Sequence, residues 1–195
     1  MAALQVTPVH YLFRPDDDAM VRHFDALARG TGLPIVIYNV VPWTYLSPTL
    51  LARILESVEG VVGVKQSAGD LKLLADLLLL VGSRARIMTA VDALLYPSFT
   101  LGAHGAIAAI LTAAPRLCVQ LWDAVQAGDH KRALALHEKL LPLWNAILGD
   151  NLPANVKCCM ALQGRPAGRP RPPMPATSPP RASAIRQALS GAGLV

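Results

Sequence analysis

The sequence predicts an α/β fold in which helices cover a parallel sheet. Short apolar runs rich in β-branched residues alternate with amphipathic runs, and the strand-type runs start roughly 20 to 30 residues apart, which is the length of a βα repeat. Of the 195 residues, 53% are hydrophobic, which favours one domain with a large core. Apolar strands in this order fit either an open doubly wound sheet or a closed (β/α) barrel.

Five strands are predicted, at residues 4–7, 34–38, 61–65, 86–89 and 105–108. The helices expected between and after them lie at about 16–29, 47–57, 70–80, 92–99 and 114–127. Asp16, Ser47, Asp70 and Asp92 are predicted N-caps, because their side-chain oxygens can accept hydrogen bonds from the unpaired amides of a first helical turn.

After residue 127 the pattern becomes helical throughout. Helices are predicted at about 129–148, 154–162 and 181–189. The segment 164–180 contains seven prolines and is expected to form an extended strap. We therefore divide the chain into a β/α portion over residues 1–127 and a C-terminal helical portion over residues 128–195.

The net charge of +5 arises from the C-terminal portion. Residues 1–150 hold 12 Lys or Arg and 13 Asp or Glu, whereas the rest of the chain holds six basic residues and no acidic one. A proline-rich basic tail without interleaved aromatic residues is poor evidence for nucleic-acid binding, so no nucleic-acid partner is expected.

No membrane partner or leader sequence is expected either. The stretch 93–115 lacks Asp, Glu, Lys and Arg, but Pro97, Gly102 and Gly105 interrupt it, which favours a buried core segment. The N-terminus shows no basic segment followed by a long apolar one. Three cysteines without metal-ligand spacing fit a reducing cytosol, so we expect a cytoplasmic protein without a metal site.

Lys65 is the most informative residue, because it lies in the apolar run 61–67, where an ammonium ion is unfavourable. Desolvation favours the neutral amine, which can attack a carbonyl carbon. The alternative is a lysine at a strand end that extends its amine to water. Tyr38 ends the preceding predicted strand, so its phenol and the Lys65 amine could meet where neighbouring parallel strands end, ~4.8 Å apart. An amine that attacks a 2-keto acid forms an iminium, and a phenol beside it can transfer the protons.

These residues resemble the dihydrodipicolinate synthase / N-acetylneuraminate lyase family of class I Schiff-base aldolases. The segments that carry the resemblance are Val6-Thr7-Pro8, Tyr38-Asn39-Val40-Val41-Pro42, Gly63-Val64-Lys65-Gln66-Ser67, Ala90-Val91-Asp92 and Gly102-Ala103-His104-Gly105-Ala106-Ile107. The resemblance implies a partial TIM (β/α)8 barrel comprising about the last five βα units, followed by a C-terminal helical extension.

The resemblance also implies a function for several residues. Lys65 would form the Schiff base with pyruvate or another 2-keto acid, Tyr38 would relay protons, and Ile107, Ala90 and Thr44 would contact the substrate. No cofactor is implied, and a homo-oligomer is expected.

The chain differs from the family pattern in three respects. It begins at what looks like the fourth βα unit, and it has Pro42-Trp43-Thr44-Tyr45 where the synthase branch has an arginine just after YNVP. The third difference is Ala90, where a glycine is expected before Asp92. The alternative function is therefore a catalytically incompetent fragment that acts as a structural or regulatory partner of a full-length paralogue.

Overall fold

The computed structural model describes residues 2–67, 69–149 and 151–195. In these ranges four strands form one sheet in the order β1-β2-β3-β4, and every neighbouring pair is parallel. The strands are β1 (Leu4–Val6), β2 (Ile35–Asn39), β3 (Val61–Gln66) and β4 (Arg86–Thr89). The predicted α/β class with a parallel sheet is confirmed.

Helices connect the strands and make up the rest of the regular structure. They are α1 (Asp17–Thr31), α2 (Pro48–Ser57), α3 (Leu71–Val81), α4 (Leu95–Thr100), α5 (Ile110–Ala113), α6 (Pro115–Gln126), α7 (His130–Ile147), α8 (Leu152–Leu162) and α9 (Pro179–Gly191). Two 3-10 turns, Pro42–Thr44 and Asp92–Leu94, precede α2 and α4. In the described ranges, no helix is both long and apolar enough to cross a bilayer.

Three of the four predicted N-caps have the expected hydrogen bond. Asp16 accepts from the Ala19 amide, Ser47 from the Leu50 amide and Asp70 from the Lys72 amide. The predicted helix over 92–99 instead begins as a 3-10 turn, and Asp92 Oδ1 accepts from the amide of Ile110, the first residue of α5, at 2.6 Å.

The predicted fifth strand, 105–108, is wrong as a regular strand in the described part of the chain. Its one ladder contact is a parallel bridge between Thr89 and Ala106. Regular pairing is interrupted before residue 105, because the Ile87 amide donates to the imidazole Nδ1 of His104 at 3.1 Å and not to a backbone carbonyl. The segment nevertheless runs alongside β4, because the Ile107 amide donates to the Thr89 carbonyl at 2.9 Å.

The two faces of the sheet differ in burial. In β2, Ile35, Ile37 and Asn39 are buried, whereas Val36 and Tyr38 on the opposite face are half-buried. In β3 and β4 the same alternation leaves Lys65 and Met88 half-buried, in register with Tyr38. Lys65 therefore lies on the half-buried face of the sheet. The side chains on the opposite face of β3 are buried and anchor the strand in the core.

The chain divides into two compact units. One comprises Met1–Val91 and Pro97–Ile107, which contains the sheet, and the other comprises Asp92–Tyr96 and Ala108–Val195, which is helical. The division at residue 127 into a partial barrel and a C-terminal helical portion stays a prediction.

Basic side chains hold the proline-rich segment within the helical unit. Residues 165–178 form no helix or strand between α8 and α9. Lys157 Nζ donates to the carbonyls of Ala167 and Arg169 at 3.0 and 2.9 Å, and Arg165 Nη2 donates to the Ala113 carbonyl at 2.7 Å. Part of the positive charge in this region therefore serves internal packing.

Gly63 is required where β3 meets β4. A Cβ atom on Gly63 would collide with the backbone carbonyl oxygen of Arg86, which cannot move without breaking the β3–β4 pairing. We expect Gly63→Ala to lower the free energy of unfolding by about 2 kcal/mol, through overpacking. Urea denaturation measures this change.

The matched control is Gly30→Ala in α1, where an added Cβ meets no atom within 4 Å. This variant should gain roughly 0.5 to 1 kcal/mol from the higher helix propensity of alanine. Equal effects of the two substitutions would contradict the steric explanation.

The three cysteines should differ in reactivity. Burial raises the pKa of Cys118 to about 12 and that of Cys159 to about 11, so neither forms much thiolate, the reactive species, at pH 8. Cys158 is only half-buried. With Ellman's reagent at pH 8 we expect one fast thiol, absent in Cys158→Ser, and two more after denaturation; three fast thiols in folded protein would be inconsistent with this burial.

Candidate active site

Tyr38 and Lys65 lie side by side near the carboxyl ends of β2 and β3. They are register partners, and Lys65 Nζ lies 4.4 Å from the centroid of the Tyr38 ring. This is a cation–π distance, which favours an ordered amine over the ring face. The structure thus brings together the two side chains that the sequence analysis paired, while their catalytic roles stay predictions.

A β-bulge sets this pairing. Ile35 pairs with Val61, but the next residue, Val36, pairs with Gly63, so Val62 is an extra residue in β3. Without it, the register of Ile35 and Val61 would place Tyr38 opposite Val64, and Lys65 would point to the other face. Bulges commonly redirect a side chain in this way next to functional sites.

A buried hydrogen bond fixes the two strands one residue beyond the pair. Asn39 Nδ2 donates to Gln66 Oε1 at 2.7 Å, and both residues are at most 3% exposed. The Asn39 amide also closes the loop after β2, because its Oδ1 accepts from the Leu46 amide at 2.9 Å and its Nδ2 lies 3.3 Å from the Leu46 carbonyl. Gln66 Nε2 is buried without a hydrogen-bond partner in the described ranges.

Two further hydrogen bonds connect the loops that follow β2, β3 and β4. Tyr45 Oη donates to the Ser67 carbonyl at 3.0 Å, and Ser67 Oγ donates to the Ala90 carbonyl at 3.3 Å. Burial raises the pKa of the Tyr45 phenol, so it remains a donor throughout the neutral range. The carboxyl edge of the sheet is therefore a connected polar layer.

The sequence analysis missed Asn39, Gln66, Tyr45 and Ser67 as parts of the site. Their positions in the sequence could have indicated this, because Asn39 and Gln66 directly follow Tyr38 and Lys65 at the predicted strand ends. Buried polar residues at strand ends need hydrogen-bond partners, and each could have been matched to the other on the neighbouring strand.

The predicted substrate-binding residues occupy three different settings. Thr44 is buried in the 3-10 turn, and its Oγ1 lies 3.5 Å from the Val9 carbonyl, to which it donates. The Ala90 amide donates to the Gln66 carbonyl at 2.9 Å, and the Ile107 amide is bound to Thr89. Both amides are thus engaged in backbone hydrogen bonds, and the Ala90 carbonyl already accepts from Ser67 Oγ.

A parallel sheet whose successive strands are connected by helices defines a protein built from βα repeats. The chain belongs to the dihydrodipicolinate synthetase family, whose sequence profile matches residues 1–192. The resemblance to this family is therefore confirmed.

Individual relatives agree with this assignment. The chain is 33% identical over 196 residues to a 4-hydroxy-tetrahydrodipicolinate synthase of Bradyrhizobium diazoefficiens, covering 100% of this chain and 65% of the relative. It thus spans about two thirds of the relative's length.

Solved structures share the fold. Dihydrodipicolinate synthase from Thermotoga maritima is 25% identical, with a TM-score of 0.90 over 100% of this chain and 67% of that one. The prophage protein YagE from E. coli K12, solved in complex with pyruvate, has a TM-score of 0.91 over 100% of this chain and 67% of that one. At 24% identity, the likeness to YagE concerns the fold.

The hydrogen bonds of the Asn39 side chain to Gln66 and Leu46, which we call the Asn39 clamp, should contribute strongly to stability. Asn39→Ala removes the hydrogen bonds to Gln66 and Leu46 and leaves buried polar groups without partners. We expect a loss of roughly 2 to 4 kcal/mol in the free energy of unfolding, measured by urea denaturation.

Asn145→Ala is the control, because Asn145 is an exposed residue of α7. It should be neutral or slightly stabilising, by up to about 0.5 kcal/mol, since alanine is the better helix former. A cost for Asn39→Ala no larger than that of the control would show that the clamp contributes little.

Proposed function

We propose that this chain carries the Schiff-base site of a class I aldolase-type lyase acting on pyruvate or another 2-keto acid. Lys65 is the nucleophile and Tyr38 is the proton relay. The observation that carries the proposal is the 4.4 Å approach of Lys65 Nζ to the Tyr38 ring, at the edge of a parallel sheet where such sites form.

The chemistry follows from an amine beside a phenol. The neutral Lys65 amine attacks the keto carbon, and the carbinolamine loses its oxygen as water to form an iminium. The iminium accepts the electron pair from an adjacent carbon when a bond to that carbon breaks, and it supplies the pair in the reverse direction. Each stage adds or removes a proton, which a phenol on the same face of the sheet can transfer.

The proposed chemistry assigns the electron sink to the lysine imine, so it calls for no metal or organic cofactor. Membership of the family supports the lyase class, and the relatives named above as synthases belong to the same family. Whether the bond that breaks is carbon–carbon or carbon–oxygen depends on the second substrate. Both reactions use the same imine.

The remaining parts of the proposal concern the surroundings of the amine. Thr44, Ala90 and Ile107 form the substrate-binding part, Ala90 and Ile107 beyond the end of β4 and Thr44 in the loop after β2. The sheet belongs to a partial (β/α)8 barrel that comprises about the last five βα units, and the working protein is a cytoplasmic homo-oligomer. The relatives named above give no support to the alternative of an incompetent partner of a paralogue.

Borohydride trapping tests the proposal. With pyruvate and borohydride, we expect a covalent adduct at Lys65, located by mass spectrometry of peptides, because reduction converts the imine to a stable amine. Lys65→Arg should abolish the adduct, and Tyr38→Phe should slow its formation roughly 100-fold through loss of proton transfer.

Lys72→Arg is the matched control, because Lys72 is an exposed lysine paired with Asp76 and arginine preserves its positive charge. It should trap pyruvate at the normal rate. An unmodified Lys65 in protein that circular dichroism shows to be folded would refute the assignment.

A further inference from the structure

A histidine side chain takes part in the pairing between β4 and the segment 104–107. The Ile87 amide donates to His104 Nδ1 at 3.1 Å, and the His104 amide donates back to the Ile87 carbonyl at 2.8 Å. One residue thus binds both backbone groups of Ile87. A backbone amide can only donate, so His104 Nδ1 is unprotonated and the neutral ring carries its proton on Nε2.

Backbone hydrogen bonds continue the pairing towards the carboxyl end of β4. The Thr89 amide donates to the Gly105 carbonyl at 3.0 Å, and the Ile107 amide donates to the Thr89 carbonyl at 2.9 Å. A side-chain substitution leaves these backbone groups in place, whereas it can remove the acceptor at His104 Nδ1. The hydrogen bond to Nδ1 is therefore the contact through which the sequence controls how firmly the segment 104–107 is held.

Gly105 connects this pairing to the lysine. A Cβ atom on Gly105 would lie only 3.1 Å from Met88 Sδ, so the Met88 side chain packs against the backbone of Gly105. Met88 is the register partner of Lys65, and paired residues of neighbouring strands lie on the same face of a sheet. A shift of the segment 104–107 away from β4 would therefore free the Met88 side chain beside Lys65.

We propose that His104 is a positioning residue for the keto-acid site. Its Nδ1 holds the segment 104–107 against the end of β4, so that Ile107 and the Met88 side chain form a fixed wall beside Lys65. The inference rests on the proposed function for the reaction that it affects and on the hydrogen bonds described above for the position. Because His104 acts through residues that would contact the substrate without transferring protons, its loss should weaken substrate binding and leave the maximal rate nearly unchanged.

Two substitutions separate the acceptor from the bulk of the side chain. His104→Asn keeps an acceptor near the position of Nδ1, because both Nδ1 of histidine and Oδ1 of asparagine are bonded to Cγ. His104→Leu has no acceptor. In borohydride trapping at increasing pyruvate concentration, we expect His104→Leu to raise the half-saturating concentration about tenfold and to change the maximal rate less than about twofold. His104→Asn should restore both constants to within about threefold of the unsubstituted chain.

His23→Asn is the matched control, because His23 is also a half-buried histidine, lies in α1 and contacts the ring of Phe24. It should change neither constant. His104→Gln, whose oxygen lies one bond further from the backbone, replaces His104→Leu if that variant does not fold, and it should show the same rise in half-saturating pyruvate.

Amide hydrogen exchange by NMR gives a readout that does not depend on the reaction. Exchange of the Ile87 and Ile107 amides should become at least about tenfold faster in His104→Leu and return to near the original rate in His104→Asn. The nitrogen chemical shifts of the His104 ring in the unsubstituted chain should show the tautomer protonated on Nε2.

Three results would overturn the inference. They are a neutral His104 ring protonated on Nδ1, equal amide exchange in His104→Leu and His104→Asn, or a lower maximal rate with unchanged half-saturating pyruvate. Trapping with an unchanged pyruvate dependence in His104→Leu refutes this inference alone. Faster exchange of Ile107 in His104→Leu, with no trapping even in the unsubstituted chain, refutes the proposed function and supports His104 as the residue that fixes the segment 104–107.

Discussion

The hydrogen bond from Asn39 Nδ2 to Gln66 Oε1 joins β2 and β3 in the core, directly beyond Tyr38 and Lys65. Because both amides are shielded from water, breaking this contact would leave unpaired polar groups, and the two strands are held in one register at their carboxyl ends. The same asparagine closes the following loop through Leu46. The long side chains of Lys65 and Tyr38 can approach each other reproducibly only if the backbones of β2 and β3 are fixed in this way.

The pairing of Lys65 with Tyr38 also depends on a local irregularity. One extra residue, Val62, changes which residue of β3 lies opposite Tyr38, and Gly63 permits the close approach of β4 on the other side. Successive side chains of a strand point to opposite faces, so a register slip by one residue would turn the Lys65 amine to the face opposite Tyr38. The extra residue Val62 and the small residue Gly63 therefore both help to fix the position of Lys65 in the sheet, although neither carries a functional group.

A pI of 9.4 first suggests a basic surface for an acidic partner, but several basic side chains of the helical unit bind backbone carbonyls of the same chain. Lys157, Arg165 and Arg181 donate to backbone carbonyls at 2.7 to 3.1 Å. Lys157 binds the proline-rich segment itself, whereas Arg165 and Arg181 bind carbonyls near the C-terminal ends of α5 and α7. Prolines provide no amide of their own, so a proline-rich strap relies on such side-chain donors to hold it against helices. Net charge alone could not distinguish this internal role from a surface for an acidic partner.

The sequence by itself determined the class of fold, the positions of four strands along the chain and three of the four predicted helix caps, because these follow from local patterns of apolar residues and short-range hydrogen bonds. It also predicted Lys65 as a candidate nucleophile, because an ammonium ion in an apolar run is unfavourable, and this role stays a prediction. Tertiary structure alone decided that the segment 105–108 is not a regular strand, because the imidazole of His104 occupies a backbone donor of β4. It likewise decided the bulge and the Asn39 clamp, because each depends on atoms brought together from distant parts of the chain.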